Sequence, residues 1–439
     1  MSDIRLPFPF HIMVKPHGPV CNLACRYCFY LHKKDMLDTA SKWRMTGEIL
    51  EEFTRGYIEA QPEGASVNFA WQGGEPTLMG LDFFKKAVEF QEKYSQHGVD
   101  ISNSFQTNAT LIDEEWASFF SEHNFLIGVS IDGPKSIHNC YRVTRSGEGT
   151  FDRIMQSVQV MKEHNVDFNA LTCVTNMSRP NALEIYGFLR EHFDFIQFIP
   201  IVEEKRFTEE APFLEHSDKW DRTNKTKPAD LVHSWSVSGE DYGEFLCTVF
   251  DEWVRHDVGK TFVQIFDVTL SRWAGQPASL CIFTPMCGKA LALEHDGTLY
   301  TCDHFVYPEY RIGNIMETPI HELVNSPEQR KFGEDKYNRL PEKCLQCTYG
   351  GLCAGACPKD RFITAPDGET ELNFLCEGYC RFFKHTEHCM KDMVRLLRQR
   401  RPAADIMDMY KTEKSGPPGP NGPCPCGSGK KYKNCCMHG

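Results

Sequence analysis

A loop with three closely spaced cysteines constrains the fold of this chain more than any other feature. Cys21, Cys25 and Cys28 form a C-x3-C-x2-C pattern directly after an apolar run that ends at Lys15. Cysteine thiolates bind iron–sulfur clusters, and three protein ligands on a four-iron cluster leave one iron open to another molecule. For this segment alone, a zinc loop or three unrelated cysteines is the alternative interpretation.

Length and composition restrict the class of protein. The chain has 439 residues, 20 cysteines and a net charge of -12, and this length predicts roughly two to three domains. The chain opens without a basic and apolar signal segment, so we expect a cytoplasmic protein whose thiols are reduced and largely bound to metal. No apolar run approaches the ~20 residues that span a bilayer. The acidic charge argues against a nucleic-acid partner.

Six apolar runs alternate with helix-like stretches in the first half of the chain. Thr46 and Asp113 are placed to cap helices over 47–60 and 114–122, and a third helix is predicted to begin at Pro180. Strands joined by helices predict an α/β fold, a partial (β/α)6 barrel with its site at the carboxyl ends of the strands. The predicted strands lie near 10–15, 67–71, 101–106, 126–130, 167–174 and 195–199.

The remainder of the chain divides by composition. A polar stretch over 203–240 predicts a loop insertion near the barrel mouth, and a helix over 241–256 follows it. Prolines and glycines between 412 and 423 predict a stiff or disordered linker. The predicted division is a barrel over 1–235, a helical connection over 236–275, a cysteine-rich domain over 276–400, a linker over 401–420 and a small metal-binding motif over 421–439.

Two polar motifs follow predicted strands. After the second strand come Gln72, Gly73, Gly74 and Glu75. The glycines allow the backbone to approach a ligand, and Glu75 can accept a hydrogen bond from an ammonium group. Ser130 and Asp132 end the fourth strand, where a hydroxyl and a carboxylate suit ribose hydroxyls, with Arg142 as a further polar contact. A plain turn before Gly-Pro is the alternative for Asp132.

These motifs resemble the radical S-adenosylmethionine (radical SAM) superfamily, in which the open iron binds the amino and carboxylate groups of SAM. From about residue 8 to 390 the chain resembles, more narrowly, the anaerobic sulfatase-maturating enzymes. The resemblance is carried by Phe69 to Leu78, by Gln106-Thr107-Asn108, by Ser130 to Pro134 and by Gln197 to Pro200. It implies that the cysteine loop binds the first cluster and that the two polar motifs contact SAM. Asn139 departs from the family pattern, which commonly has Asp after the histidine.

The cysteine pattern from Cys287 onward resembles the SPASM domain, which carries two auxiliary four-iron clusters. The resemblance assigns Cys281, Cys287, Cys302 and Cys357 to one cluster and Cys344, Cys347, Cys353 and Cys376 to the other. These clusters either accept an electron or only stabilise the domain, and zinc is the rival metal because four thiolates also suit zinc. The other cysteines of this half and of the barrel are expected to be core thiols. They are Cys140, Cys173, Cys247, Cys380 and Cys389.

Asp303 follows Cys302 directly. A carboxylate held beside a cluster ligand and shielded from water can act as a general base, and we predict that role for Asp303. The resemblance implies the same role, because the maturating enzymes use the matching aspartate to deprotonate their substrate. His304 is expected to support the site by packing.

The last residues of the chain resemble the SEC-C zinc motif. Cys424, Cys426, Cys435 and Cys436 supply four thiolates for a tetrahedral Zn²⁺, and a segment this short needs the metal to fold. We expect the motif to dock to a protein partner such as export or translation machinery.

The predicted protein is therefore a peptidyl-cysteine or peptidyl-serine dehydrogenase that makes formylglycine in an unfolded or nascent sulfatase under anaerobic conditions. Its predicted cofactors are three [4Fe-4S] clusters, SAM and Zn²⁺, with flavodoxin or ferredoxin as electron donor. One alternative is a related enzyme that forms thioether or carbon–carbon links in another peptide. A small-molecule alcohol dehydrogenase and a non-catalytic metal-binding adaptor are the others.

Overall fold

The computed structural model describes residues 5–37, 43–95, 99–213, 227–365, 368–411 and 431–434. All six predicted strands are confirmed, and neighbours in the chain pair in parallel. The strands are β1 (His11–Lys15), β2 (Ser66–Trp71), β3 (Asp100–Thr107), β4 (Phe125–Ser130), β5 (Asp167–Val174) and β6 (Phe195–Pro200). The fold is the predicted α/β arrangement, in which strand ends bring their loops to one edge.

Helices connect these strands, and their caps match the sequence prediction. The backbone N–H of Ile49 donates to Thr46, and that of Trp116 donates to Asp113. The helix predicted from Pro180 begins two residues later, because Arg179–Asn181 form a 3-10 turn first. The helices are α1 (Lys33–Met36), α2 (Gly47–Ala60), α3 (Leu81–Tyr94), α4 (Glu114–Glu122), α5 (Lys135–Tyr141), α6 (Phe151–Glu163), α7 (Ala182–His192) and α8 (Pro228–Leu231).

The second half of the chain continues the same sheet. Helix α9 starts at Gly239, slightly before the predicted residue 241, and Ser238 caps it. The strands that follow are β7 (Phe262–Val263), β8 (Ala290–Glu294), β9 (Thr298–Tyr300), β10 (Arg311–Asn314), β11 (Arg361–Ile363) and β12 (Leu372–Asn373). The helices are α9 (Gly239–His256), α10 (Gln264–Trp273), α11 (Ile320–Val324), α12 (Pro327–Asn338), α13 (Glu342–Leu345), α14 (Gly350–Cys353), α15 (Cys376–Arg398) and α16 (Ile406–Lys411).

Strand β8 joins the cysteine-rich region directly to the barrel. It pairs in parallel with β1, with His11 opposite Ala290 and Lys15 opposite Glu294. The sheet therefore runs in the order β10-β9-β8-β1-β2-β3-β4-β5-β6-β7. This pairing covers the edge of β1 that would otherwise present free backbone groups, and it brings the end of the cysteine-rich region's first strand beside the end of β1.

Two segments differ from the loops expected there. Glu203 and Glu204 open the predicted polar insertion, yet both are buried; Glu203 pairs with Lys359 at 3.2 Å. Part of the predicted linker is helical, because it contains α16. Ile406, the first residue of this helix, is completely buried. None of the helices in the described part of the chain is both long and apolar enough to span a membrane.

Glycines form the contact where helices α9 and α15 cross. A Cβ added to Gly378 would lie 2.2 Å from the carbonyl oxygen of Gly239, and one added to Gly243 would lie 2.7 Å from the Cα of Gly378. Since these neighbours are backbone atoms, they cannot move aside like a flexible side chain. The contact therefore fixes the start of α15, the helix that begins at Cys376.

We expect Gly378→Ala to lower the free energy of unfolding by ~1–3 kcal/mol or more, because the methyl group forces the two helices apart. Gly187→Ala is the control: it also lies in a helix, but nothing is within 4 Å of its added Cβ. That variant should gain up to about 1 kcal/mol from helix propensity. Chemical denaturation followed by circular dichroism measures both, and equal stability of the two variants would contradict the close crossing.

Candidate active site

The cysteine loop follows β1 and is held by backbone hydrogen bonds to the segment at the end of α5. The backbone N–H of Ala24 donates to the carbonyl of Val143, and that of Arg26 donates to Tyr141, both at 2.9 Å. The three cysteines are partly buried. Burial raises the pKa of the Cys21 thiol to about 12 and that of Cys25 to about 11. These thiols therefore need a nearby positive charge, such as a metal, to bind as thiolates.

The glycines after β2 pack against the cysteine loop. A Cβ on Gly74 would lie 2.1 Å from the carbonyl oxygen of Val20. The N–H of Gly74 donates to Gly18 at 2.8 Å, and that of Glu75 donates to Val20 at 2.9 Å. We predicted that these glycines let the backbone approach a ligand, and their close neighbour in the structure is the loop that carries the cysteines.

The Glu75 side chain connects the loop after β2 to the end of β3. Its carboxylate is fully buried and accepts hydrogen bonds from the Thr107 hydroxyl and the Asn108 N–H, both at 2.8 Å. It also accepts from the Thr77 hydroxyl at 2.7 Å. These hydrogen bonds fix the position of the Glu75 carboxylate, and its contact with SAM remains a prediction.

Asn108 is a site residue to which the sequence analysis gave no role. Its side-chain amide lies 3.7 Å from the Cys21 sulfur and donates to Asn22 at 2.8 Å. The available signal was its position directly after the third strand, where polar residues of a parallel sheet meet the site.

Asp132 and Arg142 form a buried ion pair beside the cysteine loop. The Arg142 guanidinium donates to the two carboxylate oxygens at 3.0 and 3.1 Å. The Tyr27 hydroxyl donates to the same carboxylate at 2.5 Å, and the Cys173 N–H at 3.0 Å. Ser130 lies two residues earlier and is also buried. Asp132 thus orients a residue of the cysteine loop, and the predicted contacts of Ser130, Asp132 and Arg142 with SAM stay predictions.

Asp303 lies beside Lys15, at the junction of the barrel and the cysteine-rich domain. The Lys15 Nζ is 2.5 Å from the Asp303 carboxylate and donates to the Gln72 side chain at 2.8 Å. The Lys15 side chain is 1% exposed and that of Asp303 is 16% exposed. Burial alone raises the pKa of Asp303. Lys15 is the main opposing group, and together with further contributions from His304 and Lys33 it brings the net pKa below its usual value. The carboxylate is therefore ionised at neutral pH.

His304 links the same junction to the cysteine loop. Its Nδ1 is 3.4 Å from the Cys357 sulfur, and its ring meets the Phe29 ring edge-on at 6.0 Å. Burial lowers the pKa of His304 to about 4, so the ring is neutral. Since Phe29 follows Cys28, this contact places the end of the cysteine loop against the residue next to Asp303.

The first auxiliary set of thiols lines one cavity. Cys281, Cys287, Cys302 and Cys357 surround an apolar space of about 170 Å³. Lys336 is fully buried, and its Nζ donates to the Cys281 carbonyl at 2.6 Å. Burial lowers the pKa of Lys336, and the groups that oppose this effect and favour its positive charge are thiols of this set. Four thiols, a cavity and a buried cation fit an anionic iron–sulfur cluster.

Arg361 lies between the two auxiliary sets of thiols. The sequence pattern did not indicate this residue. It is 4% exposed, and thiols from both sets favour its charge. Its guanidinium donates to the carbonyls of Ala354, Gly355 and Ala356 at 3.1, 2.9 and 3.3 Å. Both alanines have positive φ, 50° and 52°, a conformation that costs energy in non-glycine residues. Arg361 thus holds the short loop between Cys353 and Cys357, which carries one thiol of each set.

The remaining cysteines differ in their surroundings. Cys380 was predicted as a core thiol, but it lies beside Cys376 and Cys347 of the second set. Cys173 contacts the Arg142 guanidinium at 3.5 Å. The four cysteines of the predicted zinc motif, Cys424, Cys426, Cys435 and Cys436, lie outside the described residues.

An open three-cysteine loop on the first strand of a parallel barrel is typical of the radical SAM superfamily, and this chain is a radical SAM enzyme. The family model "Radical SAM superfamily" matches residues 15–189. The SPASM model, an iron-sulfur cluster-binding domain, matches residues 281–348, and the SEC-C motif matches 421–437.

Similarity to known proteins identifies the family within this superfamily. A serine-type anaerobic sulfatase-maturating enzyme of Bacteroides thetaiotaomicron is 42% identical over 92% of this chain and 95% of that protein. A cysteine-type enzyme of Clostridium novyi is 34% identical over 85% of this chain and 94% of its own length. The solved structure of native anSMEcpe with bound AdoMet has a TM-score of 0.75 and 32% identity, covering 88% of this chain and 100% of that one. The chain belongs to the anaerobic sulfatase-maturating enzymes.

The Lys15–Asp303 pair yields a testable coupling energy. Each of Lys15→Gln and Asp303→Asn leaves one charge buried without its partner, which costs about 3–5 kcal/mol for a fully buried pair. We expect the double variant to be less destabilised than the sum of the two single variants, by about 1–3 kcal/mol. Denaturant midpoints of the cluster-loaded protein measure the cycle.

The exposed pair Lys135–Asp152 is the control for this cycle, with side chains 58% and 66% exposed. Its coupling energy should stay below about 1 kcal/mol. If both cycles give the same small value, Lys15 and Asp303 are not a buried pair in solution.

Proposed function

We propose that this enzyme oxidises a cysteine or serine side chain of a sulfatase polypeptide to formylglycine. The observation that carries the proposal is the Asp303 carboxylate, ionised by Lys15 and placed beside the loop of Cys21, Cys25 and Cys28. The names of the similar proteins support it, since both the serine-type and the cysteine-type enzymes mature sulfatases anaerobically.

Oxidation of the side chain to the aldehyde or thioaldehyde level removes one hydrogen atom, one proton and one electron. When bound, the first cluster with SAM supplies the radical that takes the hydrogen atom from the β-carbon, and the auxiliary clusters accept the electron. Asp303 accepts the proton from the substrate thiol or hydroxyl. Lys15 keeps Asp303 ionised between turnovers, and Gln72 holds the Lys15 ammonium in place. Water then hydrolyses a thioaldehyde to the aldehyde and releases hydrogen sulfide.

SAM and iron–sulfur clusters are the cofactors of this enzyme. We infer that there are three [4Fe-4S] clusters, one on the cysteine loop and one on each auxiliary set of thiols. The buried residues Lys336 and Arg361 support the auxiliary clusters. Burial lowers the pKa of both, and the groups that oppose burial and favour their positive charges are thiols of those sets. We also infer that SAM contacts Gln72, the backbone of Gly73 and Gly74, and the polar groups of Ser130 and Arg142. Glu75 and Asp132 belong to the same proposed set of SAM contacts, and their hydrogen bonds to protein groups hold them in position.

The proposal is tested with two matched peptides that differ only in Cys or Ser at the first position of C/S-x-P-x-R. The reconstituted enzyme receives SAM, a reductant and one peptide without oxygen. Mass spectrometry of the peptide and chromatography of 5′-deoxyadenosine report the two halves of the reaction separately. SAM cleavage with both peptides unchanged would contradict sulfatase maturation and favour a modifier of another peptide.

We expect Cys21→Ala to abolish both SAM cleavage and aldehyde formation, because the first cluster loses a ligand. Asp303→Asn should retain SAM cleavage but lower aldehyde formation by about 10²–10⁴-fold, the usual contribution of a general base. Asp152→Asn, at an exposed carboxylate, should change neither product. Wild-type aldehyde formation by Asp303→Asn would exclude Asp303 as the base.

The C-terminal motif has a separate proposed role. We infer that Cys424, Cys426, Cys435 and Cys436 bind Zn²⁺ and dock the enzyme to export or translation machinery in the cytoplasm, where flavodoxin or ferredoxin supplies electrons. The match to the SEC-C motif supports the zinc site. Deletion of 421–439 should leave peptide oxidation in vitro unchanged but lower sulfatase maturation in cells. Unchanged maturation in cells would contradict the docking role.

A further inference from the structure

His138, in the middle of α5, is a fully buried polar residue that the proposed chemistry does not use. The backbone N–H of Asp132 donates to its Nδ1 at 3.3 Å, and its Nε2 lies 3.0 Å from the hydroxyl oxygen of Thr150. Because Nδ1 accepts a hydrogen bond, the ring proton is on Nε2, which donates to Thr150. Burial lowers the pKa of His138 to about 4, so the ring is neutral at neutral pH.

The Thr150 hydroxyl extends this connection to Arg142. It is buried and donates to the backbone carbonyl of Arg142 at 3.1 Å. Three hydrogen bonds in series therefore join the backbone N–H of Asp132 to the backbone carbonyl of Arg142 through the side chains of His138 and Thr150. Asp132 and Arg142 are also the two residues whose side chains form the buried ion pair beside the cysteine loop. The series thus holds the backbone of both partners of this pair.

Thr150 also supports the segment that holds the cysteine loop. The carbonyls of Tyr141 and Val143 accept hydrogen bonds from that loop, whereas the carbonyl between them, that of Arg142, accepts from Thr150. The backbone of Arg142 is extended, and successive groups of an extended backbone point to opposite sides. Thr150 therefore contacts this segment on the side away from the cysteine loop.

Asn139 fixes the backbone of Thr150. Its side-chain oxygen accepts hydrogen bonds from the N–H groups of Thr150 at 3.0 Å and Phe151 at 3.1 Å, where α6 begins. A Cβ on Gly149 would lie 2.2 Å from the Asn139 side chain, so this contact requires glycine before Thr150. Asparagine has the same acceptor oxygen as the aspartate that is common at this position, without its charge. The departure from the family pattern therefore preserves the support of Thr150.

We propose that His138 and Thr150 are positioning residues that hold Asp132 and Arg142 in the geometry that binds SAM. His138 acts through the N–H of Asp132 and Thr150 through the carbonyl of Arg142, so neither has to touch SAM. Because the three hydrogen bonds are in series, breaking one interrupts the connection and breaking a second adds little. The inference rests on the proposed SAM contacts of Asp132 and Arg142, and it does not depend on which peptide is oxidised.

The test measures the dissociation constant of SAM by equilibrium dialysis with radiolabelled SAM, using the full chain reconstituted with its clusters without oxygen. Thr150→Val removes the hydroxyl but keeps the shape of the side chain, and we expect it to raise the dissociation constant by about 3–10-fold, the effect of one hydrogen bond. Thr150→Ser keeps the hydroxyl and should bind SAM like the wild type. His138→Phe should match Thr150→Val, and the double variant should bind no more weakly than the weaker single variant.

Thr269→Val is the matched control for the loss of a buried hydroxyl. Thr269 lies in α10, is fully buried and donates to the carbonyl of Ile265 at 2.6 Å. Both valine variants should lower the denaturation midpoint by a similar amount, because each loses one hydrogen bond to a backbone carbonyl. Only Thr150→Val should weaken SAM binding. Equal SAM affinity of the two valine variants would overturn the positioning role.

Asp132→Asn separates this inference from the SAM contact on which it rests. It should weaken SAM binding more than Thr150→Val does, because it removes one of the two charges of the ion pair. Weakened binding by Asp132→Asn together with wild-type binding by Thr150→Val would support the contact and contradict the positioning role. Wild-type binding by Asp132→Asn would contradict the contact itself, and the positioning role with it.

Discussion

The active site depends on the buried pair of Lys15 and Asp303, because its two charges come from distant parts of the chain. Lys15 ends the first strand of the barrel, and Asp303 follows a thiol of the cysteine-rich domain. Neither charge is stable in this position alone, since an unpaired buried charge costs several kcal/mol. The chain must therefore bring both domains together before this pair of charges can form.

Pairing of opposite charges also stabilises buried groups of the cysteine-rich domain. Lys336 and Arg361 are buried cations that lie among thiols. Thiolates on an iron–sulfur cluster carry net negative charge, so metal binding and the burial of these cations stabilise each other. Arg361 also holds Ala354 and Ala356 in their strained positive-φ conformations, so these two residues depend on the same buried side chain. With the proposed auxiliary clusters, loading of the clusters and folding of this domain stabilise each other.

The sequence allowed the strands and the helix caps to be predicted because each is a local pattern. Thr46 and Asp113 cap helices through contacts three residues away. The two auxiliary sets of thiols were assigned by the family resemblance, since their members are distant in the chain. Lys15, Asn108 and Arg361 were missed because their partners are distant in the chain or are backbone groups. The lysine at the end of an apolar strand was visible, but nothing local indicated that its counter-charge is residue 303.

Strand β1 is hydrogen-bonded to β2 on one side and to β8 on the other, with Val14 opposite both Trp71 and Leu293. Alternate residues of a strand point to opposite faces, so a shift by one residue reverses every side chain. Such a shift would turn Lys15 away from Asp303 and displace the cysteine loop at the same time. This strand therefore aligns Lys15 and the cysteine loop together, and an insertion or deletion within β1 would displace both.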